Sequence, residues 1–369
     1  MALNTIPNEG LTRRGFTSNR IVTPVIINGG FEISQRSETT ATSFVNNTYG
    51  LDRWLNYLNG SCALNYQQLG PTNSIVTSLQ TTSGQNFSNA LFLDCTTAAS
   101  LASTDLLSVL QKIEGYNHNI LAGKTMTLSF FVRSNRTGTF CVAFKQGSAK
   151  TYVVEYTIDS ANTWEQKTIT ITNDTLANYN TNTSVTNGSS LQLNFTLRLG
   201  TTSQQTTANA WNSGNFYGTS NQTTWGTSTD DVFYLSGCQL ELGSFDSTSV
   251  PSFPFESFEN NLRKCQRYYY ERVAEDAYGP GVQGMQIGSS DTMIQGYHPI
   301  KMRAAPSMSV SGAWSMEVGT TSVTWTCPST RTSTTAFSSQ QSAGNSDGSA
   351  AMVYSNNNTA SAIIGDAEL

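Results

Sequence analysis

Leu191-Gln192-Leu193-Asn194-Phe195-Thr196-Leu197-Arg198-Leu199 alternates apolar and polar residues without a break. Successive side chains of a strand point to opposite faces, so this run offers one face to a core and a polar face to water. That is the pattern of an antiparallel sheet. The same period extends outward. Met126, Leu128, Phe130 and Val132 keep it, as do Phe140, Val142 and Phe144. Tyr152, Val154, Tyr156 and Ile158 follow, then Ile169 with Ile171. Turn chemistry separates the runs, for example Ser134-Asn135-Arg136-Thr137-Gly138. Over residues 26–250 these signals predict a two-sheet β-sandwich of jelly-roll type.

Composition agrees. The chain has 369 residues, of which only 12% are charged, with 29 glycines and 10% aromatics. Ser, Thr and Asn supply the polarity, and the residues that build helices readily are not prominent. An all-β protein with many turns follows. A net charge of −5 gives no broad basic field for nucleic acid. No apolar run is long enough to span a membrane, and Met1-Ala2-Leu3-Asn4-Thr5 does not read as a secretory signal, which implies synthesis in the cytoplasm.

Residues 1–25 are polar and carry Arg13, Arg14 and Arg20 against the single acid Glu9. They read either as an arm that docks on a partner or as a frayed terminus. Two long polar stretches, Thr175–Ser190 and Thr201–Thr229, interrupt the strands. The second holds Trp211, Phe216, Tyr217 and Trp225, which favours an ordered loop. Residues 251–278 form a linker with one amphipathic helix. Phe258, Leu262, Cys265, Tyr269 and Val273 recur at spacings of three and four between Glu256 and Ala274. Beyond Gly279-Pro280-Gly281, residues 279–369 return to short alternating runs and predict a second, smaller β-sandwich, with Thr330–Ser349 as an exposed loop.

Little points to catalysis. Cys62, Cys95, Cys141, Cys238, Cys265 and Cys327 lack metal-ligand spacing and read as buried free thiols. His118 and His298 are the only histidines. Asp94, Glu114, Asp230, Asp231 and Glu241 are carboxylates available for sugar cleavage, yet Asp230-Asp231 reads as a turn cap and Glu241 as part of a strand. No phosphate loop, His-Glu-x-x-His motif or nucleophile elbow is present. No cofactor or metal is expected, and a structural Ca²⁺ finds no EF-hand-like loop to support it.

One ordered series of motifs carries a resemblance. Asn28-Gly29-Gly30-Phe31-Glu32 is followed by Tyr49-Gly50-Leu51-Asp52-Arg53-Trp54, and Gln111-Lys112-Ile113-Glu114-Gly115-Tyr116 by Leu121-Ala122-Gly123-Lys124. Trp164-Glu165 leads to Gly237-Cys238-Gln239-Leu240-Glu241-Leu242-Gly243, then Leu262-Arg263-Lys264-Cys265-Gln266-Arg267-Tyr268-Tyr269. Pro299-Ile300-Lys301-Met302-Arg303-Ala304-Ala305-Pro306 and Asp366-Ala367-Glu368-Leu369 close it. This resembles bacteriophage fibre and appendage proteins that have a carbohydrate-binding-module-like jelly roll and a terminal β-sandwich.

The resemblance implies a virion structural protein, a short tail fibre or fibre-like appendage that attaches to host-surface glycan as a homotrimer beside other tail or capsid proteins. Glycan-stacking candidates are Trp211, Tyr217 and Trp225 in the first sandwich, and Trp314 and Tyr354 in the terminal one. Trp54 and Trp325 sit in strand motifs and read as core. Leu262, Cys265, Tyr268 and Tyr269 are candidates for a three-fold interface, unless the stripe packs on its own sandwich. Arg13, Arg14 and Arg20 would dock the arm on the virion. The family usually has a longer docking region, so a compact appendage is implied. A capsid decoration or head-fibre protein with little glycan affinity, or a polysaccharide depolymerase, are the alternatives.

Overall fold

The computed structural model describes residues 24–36, 39–146, 150–172, 174, 188–274, 276–288, 291–327, 329–343, 348–358 and 360–369. Arg13, Arg14 and Arg20 lie outside them. The protein is all-β, with two sandwiches and a short helix between them.

The first sandwich has a six-stranded sheet in the order Thr42–Ser43, Ala63–Leu69, Ala90–Thr97, Val232–Leu242, Thr125–Ser134, Glu165–Thr172. A seven-stranded sheet faces it. Its order is Trp211–Ser213, Lys150–Ile158, Gly138–Gln146, Ser189–Leu199, Leu106–Glu114, Leu55–Asn59, Thr48–Tyr49. The predicted alternation sets the inward faces. Leu128, Phe130 and Val132 from one sheet meet Phe140, Val142, Phe144, Leu193, Phe195 and Leu197 from the other in one core, closed by Trp54 and Phe233. Phe130 meets Phe195 edge-on at 5.0 Å between centroids.

The motif around Asn28 is a backbone knot. Asn28 stands at φ 58°. Its amide donates to the carbonyls of Ile33 and Asp52 and accepts from the Ile33 N–H, while the Trp54 indole donates to the Asn28 carbonyl. Gly29 allows the close approach this needs, because a Cβ there would lie 2.0 Å from the Cys238 carbonyl oxygen.

Three features depart from the sequence expectation. The polar positions Asn194, Thr196 and Arg198 are fully buried instead of wet, because the segment from Gly214 to Trp225 crosses the outer face of their sheet. The Thr196 hydroxyl donates to the Tyr217 carbonyl at 2.7 Å, and Arg198 to the Trp225 carbonyl at 3.2 Å. A second helix, Ser74–Ser83, covers the outer face of the six-stranded sheet with Val76 and Leu79, capped by the Asn73 side chain and by Gly84 at φ 65°. The predicted helix over Glu256–Ala274 spans only Phe258–Gln266. Tyr269–Val273 is instead a strand on Ala362–Asp366. Aromatic and β-branched side chains suit that pairing, and Tyr270 lies over Gly365, where a Cβ would come within 2.4 Å of its ring.

The terminal unit stacks a three-stranded sheet, Tyr269–Val273, Ala362–Asp366, Ser307–Ser311, on a seven-stranded one. The latter runs Thr321–Thr324, Trp314–Val318, Ala350–Ser355, Pro280–Gln286, Asp291–Tyr297, Ala336–Ser342, Ser329–Thr332. Trp314, Met316, Trp325, Phe337, Val353 and Ile363 form the shared core. The expected loop Thr330–Ser349 thus includes paired strands: Phe337 and Ser339 point inward on a hairpin otherwise rich in Ser, Thr and Gln.

Candidate functional site

Most of the aromatic candidates are engaged internally. Trp225 is fully buried in the first core, so it is no ligand platform. Trp314 packs edge-on against Trp325 with centroids 6.2 Å apart and is likewise core. Tyr217 is buried and stacks on Tyr57 at 5.9 Å, while the Lys145 ammonium sits 3.6 Å from its ring centre. Burial depresses that ammonium to a pKa of about 7. Tyr217 and Trp225 sit in a polar loop, yet the loop folds down onto the sheet and buries both rings. Trp211 and Tyr354 remain half-exposed. Trp211 meets Tyr152 edge-on and donates its indole N–H to the Thr172 carbonyl, and Tyr354 tilts against exposed Tyr278.

The interface candidates are also engaged within the chain. Cys265 and Tyr268 pack with Ile27 and Ile33 of the first sandwich, with Leu262 partly buried against them. The Tyr269 ring lies under Arg36 at 3.6 Å. Cys265, Tyr268 and Tyr269 therefore serve the chain's own packing and are buried away from any three-fold contact, whereas Leu262 is only partly covered and Phe258 and Val273 of the same stripe are exposed. Asp231 accepts from the N–H groups of Gly226, Thr227 and Ser228, the turn cap expected of it. All six cysteines are free and buried, and Trp54 and Trp325 are core.

A different set of polar groups, with no partner among the described residues, lies on the outer face of the six-stranded sheet. Leu91, Leu93, Phe233 and Leu235 face the core, so alternation turns Phe92, Asp94 and Tyr234 outward. Register then sets Gln67, Phe92, Tyr234 and Arg133 side by side across four strands, with Asn65 and Asp94 paired one step along. Phe92 and Tyr234 stack at 4.8 Å and 16°. Trp164, anchored through its indole N–H on the Ile75 carbonyl of the covering helix, supports the far side of Tyr234.

The electrostatics of this row are unbalanced. The Arg133 guanidinium carbon lies 5.8 Å from the Tyr234 ring centre, and its Nε is buried with no acceptor among the described residues. Burial raises the Asp94 carboxyl above its usual range, and it also raises the Tyr234 hydroxyl, which Arg133 lowers and Asp94 raises further. The Asp94 and Asn65 side chains have no hydrogen-bond partner among the described residues. Gln67 donates to the Thr39 carbonyl at 2.7 Å and keeps its own carbonyl oxygen as an acceptor. The row offers an aromatic surface flanked by a cation, an anion and two amides, chemistry suited to a polyhydroxylated ligand with one apolar face. Only Asp94 was visible as a candidate in the sequence. Phe92, Tyr234 and Arg133 sit in ordinary strand runs, and strand pairing alone brings them together.

No family model matches this chain, and no curated protein does. Several solved structures do. An enzymatically active domain of tailspike protein 4 from bacteriophage CBA120 is 12% identical over 60% of this chain, with a TM-score of 0.30; the chain spans 21% of that protein. A putative sugar binding protein from Bacteroides thetaiotaomicron is 12% identical, with 60% of this chain and 100% of the other covered and a TM-score of 0.32. The carbohydrate-binding module TmCBM61, solved with β-1,4-galactotriose, is 10% identical, covering 60% and 99%, with a TM-score of 0.30. Likenesses this distant say nothing about the ligands of this chain.

Proposed function

We propose that the protein is a non-catalytic structural component of a bacteriophage virion, a short tail fibre or fibre-like appendage that attaches to host-surface glycan as a homotrimer. The observation that carries the glycan part is the outward row of Phe92, Tyr234 and Arg133 beside Asp94 and Asn65, with hydrogen-bonding groups that no described residue uses. A pyranose has an apolar face for Tyr234 and Phe92 and hydroxyls for Asp94, Asn65 and Arg133. Weak single contacts become useful when three copies act together. The virion part rests on the ordered motifs around Asn28, Trp54, Cys238 and Arg303.

The test is retention of the full chain on an array of neutral bacterial surface glycans, followed by titration of the ligand it selects. Tyr234→Ala and Asp94→Asn are expected to weaken binding at least ~10-fold, since each removes about one stacking or charged hydrogen-bond contact. No retention on any glycan, or binding indifferent to both changes, overturns the reading. A second reading, a capsid decoration or head-fibre protein with little glycan affinity, is favoured by the burial of Trp225, Tyr217 and Trp314. Light scattering of the isolated chain separates a trimer from a monomer that takes its symmetry from the particle.

A further inference from the structure

The terminal unit contains an open groove of about 530 Å³ between its two sheets, within the size range of small-ligand sites. Its floor is apolar: Tyr270, Phe337 and Ile363 are all buried and line it. One wall is Tyr297, 83% exposed, and another is Val273, 48% exposed. An aromatic ring so open at the lip of an apolar trough presents a free face to solvent.

Two charged side chains stand at the rim, the Arg272 guanidinium and the Glu271 carboxylate. Tyr269–Val273 is the edge strand of its sheet, and Tyr270, Glu271, Arg272 and Val273 at its end all line the groove. Arg272 is exposed and has no ion-pair or hydrogen-bond partner among the described residues. Glu271 also reaches the rim, but its carboxylate is held by the Tyr269 hydroxyl at 3.3 Å. Gln266 adds an amide.

From this placement we infer that the groove binds a sugar bearing a carboxylate, with the Arg272 guanidinium pairing with the carboxylate and the Tyr297 ring carrying the apolar face of the pyranose. A planar guanidinium engages a carboxylate through two parallel hydrogen bonds, a geometry no neutral hydroxyl supplies. Gln266 and the free oxygen of Glu271 then take ring hydroxyls. This site is separate from the Phe92–Tyr234 row and does not depend on it.

The experiment is calorimetric titration of the full chain with tri-galacturonate, its methyl ester and free galacturonic acid. Tri-galacturonate is expected to bind, with the ester at least 10-fold weaker. Arg272→Gln reproduces that loss on the acid and leaves the ester unchanged; Tyr297→Ala weakens both. Both side chains are exposed, so unchanged unfolding midpoints show that the variants are folded. Binding of free galacturonic acid with the same dependence on Arg272 identifies a single-residue site, and binding of the trimer alone an extended one; either supports the inference. It is overturned if no acidic sugar binds, if acid and ester bind alike, or if Tyr234→Ala abolishes binding that Arg272→Gln leaves intact. A failure here leaves the neutral-glycan reading of the first sandwich untouched.

Discussion

Arg53 and Glu368, 315 positions apart in sequence, form an ion pair that joins the two sandwiches. Neither reaches solvent, with side-chain exposures of 1% and 5%. The Arg53 guanidinium also lies 3.5 Å over the Tyr268 ring and donates to the Lys112 carbonyl. Arg36 adds a second cation 3.6 Å from the Glu368 carboxylate, over Tyr269. The strand expected to be helix and the closing residues Ala367 to Leu369 thus fold back onto the Asp52-Arg53-Trp54 motif. The Tyr49 hydroxyl and the Lys112 ammonium both donate to the Leu369 carbonyl.

Removing one member of a buried pair leaves the other charge uncompensated, which costs about 3–5 kcal/mol. Glu368→Ala is therefore expected to lower the denaturant midpoint by that equivalent, and Arg53→Met with Glu368→Leu to recover much of it. Asp159→Asn, which breaks the pair of Lys167 with a 69%-exposed carboxylate, serves as the contrast and shifts stability by less than about 1 kcal/mol. Equal effects from the buried and exposed changes contradict the clamp.

Trp225 separates stability from recognition. Its side chain is fully enclosed in the first core, so Trp225→Ala opens a large cavity and costs about 3–5 kcal/mol. Tyr234 stands half-exposed on the outer face, and Tyr234→Ala is expected to move the unfolding midpoint far less while removing glycan affinity. Urea unfolding and glycan titration of the two variants read these opposite profiles. A Trp225→Ala protein that stays as stable as the parent contradicts the core assignment.

The strands were legible because their inward residues keep an unbroken period, as from Leu191 to Leu199. A sheet face covered by its own loop was not. Asn194, Thr196 and Arg198 look like a wet face locally, and only the path of the chain from Gly214 to Trp225 buries them. The same cause hid the fate of Tyr217. Ser74–Ser83 has only Leu79 and Gln80 as good helix formers among Ser, Thr and β-branched residues and buries only Val76 and Leu79, so its helical signal is faint. At Tyr269 the helical spacing was real, yet pairing with Ala362–Asp366 prevailed. The Phe92–Tyr234 row depends on register between strands distant in sequence, which period alone does not specify.

The six thiols give a direct probe of packing. All are buried and free, and burial raises the thiols of Cys141 and Cys327 to pKa values of about 11. The thiolate is the reactive form, so the native chain is expected to react with none of its six equivalents of an aromatic disulfide reagent at pH 8 on the minute timescale. All six become reactive in guanidinium. A fast equivalent in the native state identifies a site that opens locally.

Lys145 links packing to pH. Its ammonium lies under Tyr217, and burial lowers its pKa from an ordinary 10.5 to about 7. Between these values the folded chain binds fewer protons at this site than the unfolded chain, so folding stability contributed by the group rises with pH. The slope reaches about 1.4 kcal/mol per pH unit for one proton. The gain is absent below pH 7, where the lysine is charged in both states, and complete above the unfolded value. Lys145→Met removes the titrating group while keeping the length of the stem against the Tyr217 ring. The stability of the parent protein minus that of the variant is expected to increase from pH 7 to pH 9. Denaturant unfolding of both proteins across that interval measures it, and a flat difference shows that Lys145 titrates as an ordinary surface lysine.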